Sequence, residues 1–232
     1  NRLPFTARYE ENEIKLNKSS GGLVSGLSAY LDSLKDSRFS DFSHIWIGWP
    51  GFTIKEKDKE KFEKQIYEEF NSIPVFISEE EMENFYQGFC NKTIWPLFHY
   101  FPSYASFKDE HWLSYKNVNK YFADKILKII KQDDIIWIHD YHLMLLPALL
   151  KEQLPDSPIG YFHHIPFPSF EIFRLLPREW REEILKGILG ADLIGFHTHE
   201  YNQYFLRNLL RIFGLEHNLG KIIYKDRIIK SD

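Results

Sequence analysis

The stretch Ile135-Ile136-Trp137-Ile138-His139-Asp140-Tyr141-His142 constrains the fold more than any other part of the chain. A run of apolar, mostly β-branched side chains stops at two histidines, a carboxylate and a phenol. Continuous Ile and Trp is the signature of a strand buried on both faces, as in a parallel sheet covered by helices. In open parallel sheets, ligands bind just past the carboxyl ends of the strands. Asp140 stands at that place.

Three further apolar bursts read as parallel strands, at 45–47, 159–162 and 193–196. A shorter one at 73–77 joins them, with Pro74 suiting a strand start or an edge. Helical patterns separate the strands, at 23–34, 55–70, 118–130, 143–153, 179–189 and 200–213. In the second of these, Phe62, Ile66 and Phe70 recur at four-residue spacing on one face. Strand and helix in alternation imply an α/β, Rossmann-like, doubly wound parallel sheet covered on both faces. Residues 95–112 are aromatic and lack strong periodicity, and read as a long ordered loop of the kind that is often functional. Beyond Gly220 the chain reads as a turn and a short strand, where a doubly wound domain would want one strand more. Asn1 is not an initiator Met, and both ends look cut.

Composition excludes several classes. Of 232 residues, 44% are apolar and 17% aromatic, enough for a core. The formal charge of -4, with lysines set among acids as in Lys55-Glu56-Lys57-Asp58-Lys59-Glu60, argues against a nucleic-acid partner. The single cysteine, Cys90, rules out a disulfide framework, suits a reducing cytoplasm, and reads as a small buried residue rather than a nucleophile. The longest apolar region is interrupted by His139, Asp140 and His142, so no membrane span is expected.

Several motifs could carry chemistry. Ser19-Ser20-Gly21-Gly22-Leu23 places glycines where a helix begins, so that backbone N–H groups and the helix dipole could meet a diphosphate; a plain turn with an N-cap reads equally from the same residues. Arg2 could grip a phosphate with two parallel hydrogen bonds, or be a surface charge. Asp140 could hold sugar hydroxyls or act as a base, and could also cap the helix that follows. His164, in His163-His164-Ile165-Pro166-Phe167-Pro168, would leave a neighbouring strand end toward the same crevice, in a loop stiffened by two prolines. Tyr86 and Trp95 could stack on sugar rings or fill the core. Six histidines (His139, His142, His163, His164, His197 and His199) invite a metal, but their spacing matches no zinc motif, and strand alternation would divide them between faces.

Taken in order, these segments resemble the family of synthases that make trehalose 6-phosphate. The resemblance is carried by Asn1-Arg2-Leu3-Pro4, Ser20-Gly21-Gly22-Leu23, Trp46-Ile47-Gly48-Trp49, Phe85-Tyr86, Trp95-Pro96-Leu97-Phe98-His99-Tyr100, the run from Ile136 to His142, His164-Ile165-Pro166-Phe167-Pro168, and Leu193-Ile194-Gly195-Phe196-His197-Thr198. It implies a retaining GT-B glycosyltransferase, of which residues 1–232 would form the N-terminal, acceptor-side half, without its first strand and without the C-terminal donor-binding domain. The family joins glucose from a nucleotide sugar, usually UDP-glucose, to glucose 6-phosphate, with no metal or other cofactor. By motif position, Arg2, Tyr86, Trp95 and Asp140 would hold glucose 6-phosphate. Gly21, Gly22 and His164 would hold UDP-glucose, and Asp140 and His164 would flank the reaction centre. His139 and His142 would be structural support. The expected partners are these small molecules alone, with a homo-oligomer left open, and this half by itself is expected to turn over little or nothing. The alternatives are a non-catalytic sugar-phosphate-binding regulatory module and a transferase using another phosphorylated acceptor.

Overall fold

Alternating side chains, Phe5, Ala7 and Tyr9 answered by Ile14 and Leu16, fold the start of the chain into a hairpin that the sequence reading does not contain. The computed structural model describes residues 2–10, 13–18, 22–34 and 43–232. They fall in two compact units, Asn1–Glu79 and Glu80–Asp232.

In the first unit, β1 (Phe5–Glu10) pairs antiparallel with β2 (Glu13–Lys18), setting Ala7 opposite Leu16 and Tyr9 opposite Ile14. Helix α1 (Gly22–Leu34) follows. β3 (Trp46–Gly48) then leads through a 3-10 turn (Glu56–Asp58) and α2 (Lys59–Phe70) to β4 (Ser72–Pro74), which runs parallel to β3. Pro74 sits at the last position of its strand, where a missing N–H matters least. The four-residue spacing in α2 buries Phe62 and Ile66. They pack with Leu3, Phe5 and Ile54 in a core that Trp46, Phe52, Phe70 and Phe76 complete. Asn71 ends the helix in the left-handed region at φ 48°, returning its N–H to Ile66 and Tyr67.

β3 also fixes Arg2. The Leu3 N–H donates to the Trp49 carbonyl at 3.0 Å, and the Trp46 indole N–H donates to the Arg2 carbonyl at 2.8 Å. The guanidinium lies 5.2 Å from the centre of the Trp49 ring, a cation–π distance. So close a crossing needs Gly48: a Cβ there would stand 2.6 Å from the Arg2 carbonyl carbon.

The boundary falls inside α3 (Glu79–Glu81), which runs on into a π-type helix (Met82–Ile94) and α4 (Trp95–Phe98) in continuous succession. After a 3-10 turn (Pro102–Tyr104), α5 (Asp109–Leu127) leads to β5 (Ile136–His139), a 3-10 turn (Tyr141–Leu143) and α6 (Leu146–Gln153). β6 (Ile159–His163), α7 (Phe170–Phe173), α8 (Arg178–Ile188), β7 (Leu193–Phe196) and α9 (His199–Phe213) come next. β8 (His217–Asn218), β9 (Lys221–Tyr224) and β10 (Arg227–Ser231) close the unit. The sheet order is β5-β6-β7-β10-β9-β8, parallel from β5 through β10 and antiparallel beyond. The α/β, Rossmann-like class is therefore as expected. Among the described residues no helix is long and apolar enough to cross a membrane.

Two expectations are corrected. Residues 95–112 are not a long loop: α4, a 3-10 turn and the first turn of α5 occupy most of them. Their lead-in is a helix whose apolar residues Phe85, Phe89, Ile94 and Phe98 recur every four or five positions. That suits an i→i+5 helix and blurs a 3.6-residue pattern. The closing strand is present, because β10 pairs with β7 and sets Ser231 opposite Ile194. Within this unit, among the described residues, the helices bury one face of the sheet. Ile136, Ile138, Ile159, Tyr161, Ile194, Ile222 and Ile229 are buried on one side, while on the other Trp137 is 47% and Leu193 54% exposed. Strands added successively in one direction by right-handed crossovers receive their helices on a single face.

Substituting Gly48 by Ala should lower the stability of the first unit by about 1–3 kcal/mol, the usual range for overpacking, as read by thermal or urea unfolding. An unchanged midpoint would show that the crossing with Arg2 is not tight.

Candidate functional site

Parallel pairing of β5 with β6 places His139 beside Phe162, and the Asp140 N–H continues the ladder to the Phe162 carbonyl at 2.7 Å. The chain then turns sharply. Asp140 sits at φ 77° and ψ 167°, a region that side-chain-bearing residues seldom occupy and that tends to mark functional turns. Its carboxylate explains how the turn is held. Oδ1 accepts from the Tyr141 N–H at 2.9 Å and from the His164 N–H at 3.3 Å, and Oδ2 lies 3.7 Å from His142 Nδ1. Asp140 is thus the N-cap of the turn Tyr141–Leu143 and also the tie between two neighbouring strand ends. Burial raises its carboxyl above the ordinary aspartate value, and the two backbone donors work against that rise.

Strand alternation divides the histidines. His163 points into the core, fully buried, with its Nδ1 2.8 Å from the Tyr161 hydroxyl. His164 turns to the opposite face and meets His139, Nε2 to Nδ1, at 2.9 Å. The Phe162 ring lies 4.7 Å from the His164 ring and 5.1 Å from that of His197. Gly195 makes room for it, since a Cβ there would stand 2.7 Å from that ring. Burial pushes His139 down to about 4, with His164 adding to the effect. Burial, with His197 second, pushes His164 to about 4, and burial takes His163 to about 3. All three are neutral at physiological pH. Among the described residues, no three His, Cys, Asp or Glu side chains are grouped to hold a metal ion.

Tyr86 reaches this cluster from the π-type helix by stacking on His142, with ring centres 5.5 Å apart and planes 13° from parallel. Trp95 begins α4, 44% exposed, and stacks on His99 at 4.1 Å. Tyr86, Asp140 and His164 are therefore brought together. Arg2 and Gly22 belong to the other unit. Gly22 is the exposed first residue of α1, where an added Cβ would meet nothing within 4 Å. Gly21, with Ser19 and Ser20, lies outside the described residues. Cys90 is a buried free thiol whose burial keeps it protonated.

Two supports escape the sequence reading, Phe162 beneath the histidines and the space left by Gly195. The signal for both was register: once β5, β6 and β7 are aligned, His139, Phe162 and Gly195 form one cross-strand row.

The family model for glycosyltransferase family 20 matches residues 1–231. The chain belongs to glycosyltransferase family 20. It is 45% identical over 231 residues to the UDP-forming alpha,alpha-trehalose-phosphate synthase A of Dictyostelium discoideum, covering 99% of this chain and 30% of that protein. Its fold is similar to that of a UDP-forming trehalose-phosphate synthase from Burkholderia xenovorans, with a TM-score of 0.75 at 30% identity over 91% of this chain and 45% of that one. It is also similar to the N-terminal domain of the Candida albicans trehalose-6-phosphate phosphatase, with a TM-score of 0.76 at 34% identity over 88% and 43%. The chain thus spans less than half the length of each of these relatives. Its solved relatives bear out the GT-B assignment.

A histidine held neutral in the fold, with a folded value below its unfolded 6.5, gives the unfolded chain the greater proton uptake as pH falls. The stability due to the three histidines should be fully present above about 6.5 and decline as pH drops toward 4. Asp140, shifted upward, opposes this trend within the carboxylate range. Proton NMR titration should show His139, His163 and His164 unprotonated at pH 5.5, with the unfolding temperature already lower than at pH 7.5. Titration of all three near 6.5 would remove the burial account.

Proposed function

We propose that these residues are the acceptor-side half of a retaining glycosyltransferase that makes α,α-trehalose 6-phosphate from UDP-glucose and glucose 6-phosphate. The observation that carries the reading is the cluster of Tyr86, Asp140 and His164 at the ends of two adjacent parallel strands, in a chain of this family. The names of the UDP-forming relatives support the donor.

The chemistry of the parts agrees. Asp140, already an acceptor of two backbone N–H groups, has a second carboxylate oxygen with which to orient acceptor hydroxyls. Arg2, its backbone fixed by β3, supplies a planar cation for the acceptor phosphate, helped by Tyr86, and Trp95 shapes the acceptor pocket. His164, neutral, offers a hydrogen bond to the donor glucose without adding a charge beside an oxocarbenium-like centre. Gly22, the first residue of α1, and Gly21 before it in the sequence suit the donor diphosphate. Catalysis is then positioning and electrostatic stabilisation. The leaving phosphate takes the acceptor's proton on the same face, so no protein nucleophile, metal or cofactor is invoked. The setting is cytoplasmic, and the partners are these small molecules.

A second reading, a non-catalytic sugar-phosphate-binding module, is favoured by one observation. The same fold occurs as the N-terminal domain of a trehalose-6-phosphate phosphatase. Retention of Arg2, Tyr86, Trp95, Asp140 and His164 together argues for the enzyme.

In the full-length protein carrying these residues, UDP release from UDP-glucose should require glucose 6-phosphate. Asp140→Asn, isosteric and still able to cap Tyr141, and Arg2→Ala should each lower kcat/KM by roughly a hundredfold, as losses of a site electrostatic contact do. A rate unchanged by either substitution would remove that residue from the site. Binding of glucose 6-phosphate without UDP release would favour the regulatory module.

A further inference from the structure

We propose that His139 is a positioning residue for His164, fixing through the Nδ1···Nε2 hydrogen bond the orientation and tautomer in which His164 meets the donor sugar. The inference rests on the reading of His164 as the donor-sugar contact.

The two nitrogens lie 2.9 Å apart, and the ring planes are inclined at 32° with centres 5.2 Å apart, so the contact is a hydrogen bond between ring edges rather than a stack. The two residues are anchored differently. His139 is the last residue of β5, locked in the ladder opposite Phe162, with its ring 4.6 Å from that of Trp137. His164 is the first residue past β6, on a loop tied down by its own N–H to Asp140. The strand residue therefore holds the loop residue.

Protonation completes the lock. Both rings are neutral at physiological pH, since burial takes each to about 4. Two neutral imidazoles can bond through these nitrogens only when one carries the proton and the other does not. The tautomer of one ring then dictates that of the other. A His164 that turned over or changed tautomer would present a donor where a sugar hydroxyl needs an acceptor, or the reverse. An imidazole on a loop gains, from one neighbour, the fixed polarity that a preorganised site requires.

Long-range proton–nitrogen NMR of the 232-residue chain reads the tautomers directly. The wild type should show His139 and His164 each as one tautomer, with complementary facing nitrogens. In His139→Asn the side-chain amide stands near the place of Nδ1 and can donate or accept, so the His164 ring should keep its orientation and its hydrogen-bond partner. In His139→Phe the ring is retained without its nitrogen, and the His164 signals should move to averaged values. In the full-length protein, His139→Phe should lower kcat by on the order of ten- to a hundredfold, the scale seen when the support behind a working histidine is lost. The acceptor KM should stay within about twofold, as for an interaction realised in the transition state, and His139→Asn should recover most of the rate. Averaged wild-type tautomers would overturn the proposal. So would Phe preserving His164 while Asn does not, since packing would then hold the ring. If the wild-type protein releases no UDP, the functional reading fails, while the spectra still decide the pair.

Discussion

The parallel ladder between β5 and β6 is the contact on which the site depends. Because His139 lies opposite Phe162, the next residue on one strand and the second on the other leave the sheet side by side. Asp140 and His164 meet for that reason, and a single carboxylate oxygen can accept from both the Tyr141 and His164 N–H groups. A slip of one residue would exchange the faces of every side chain on the strand. It would send His164 into the core and His163 out. The buried row Ile136, Ile138, Ile159, Tyr161 and Ile194 makes such a slip costly, so hydrophobic burial on one side of the sheet sets the polar geometry at its end.

The strained turn at Asp140 follows from the same ladder. The strand must end at a fixed height, and the 3-10 turn Tyr141–Leu143 must begin at once, which places Asp140 at φ 77°. A buried polar network around it absorbs the cost. The Tyr115 hydroxyl donates to the Tyr141 carbonyl and accepts from the Met144 N–H, while the Asn119 side chain bonds the His142 carbonyl and the Leu145 N–H. Helix α5 thus holds the backbone beyond the strand end from behind, and the carboxylate holds it from in front. Every group in this network that is lost on mutation would leave a buried partner unsatisfied.

Much of this was legible in the sequence, for identifiable reasons. The strands around Ile136, Ile159 and Leu193 are short β-branched or aromatic runs bounded by turns, and each lies within a residue or so of its expected place. Helices α2, α8 and α9 carry clean amphipathic spacing. The π-type helix was hidden because its apolar residues do not follow the α-helical period. The hairpin of β1 and β2 was hidden because its strands alternate apolar residues with polar ones such as Arg8, Glu10 and Lys15, and so carry no continuous apolar run. Trp137 was misleading in the other direction: a large aromatic reads as core, yet it stands on the face that this unit's helices leave open.

The sequence by itself determined the class of fold, the strand after which Asp140 stands, and the family, because periodicity, turn residues and ordered motifs are local properties of the chain. Only the tertiary structure decided what each polar side chain does there. It separated His163 from His164 by the alternation of β6, joined His164 to His139 across a strand pair, and set Tyr86 on His142 from a helix more than fifty residues away. The reason is physical. The identity of a partner, and the protonation state it imposes, depends on register and burial, and these exist only once distant segments of the chain have been brought to the same place.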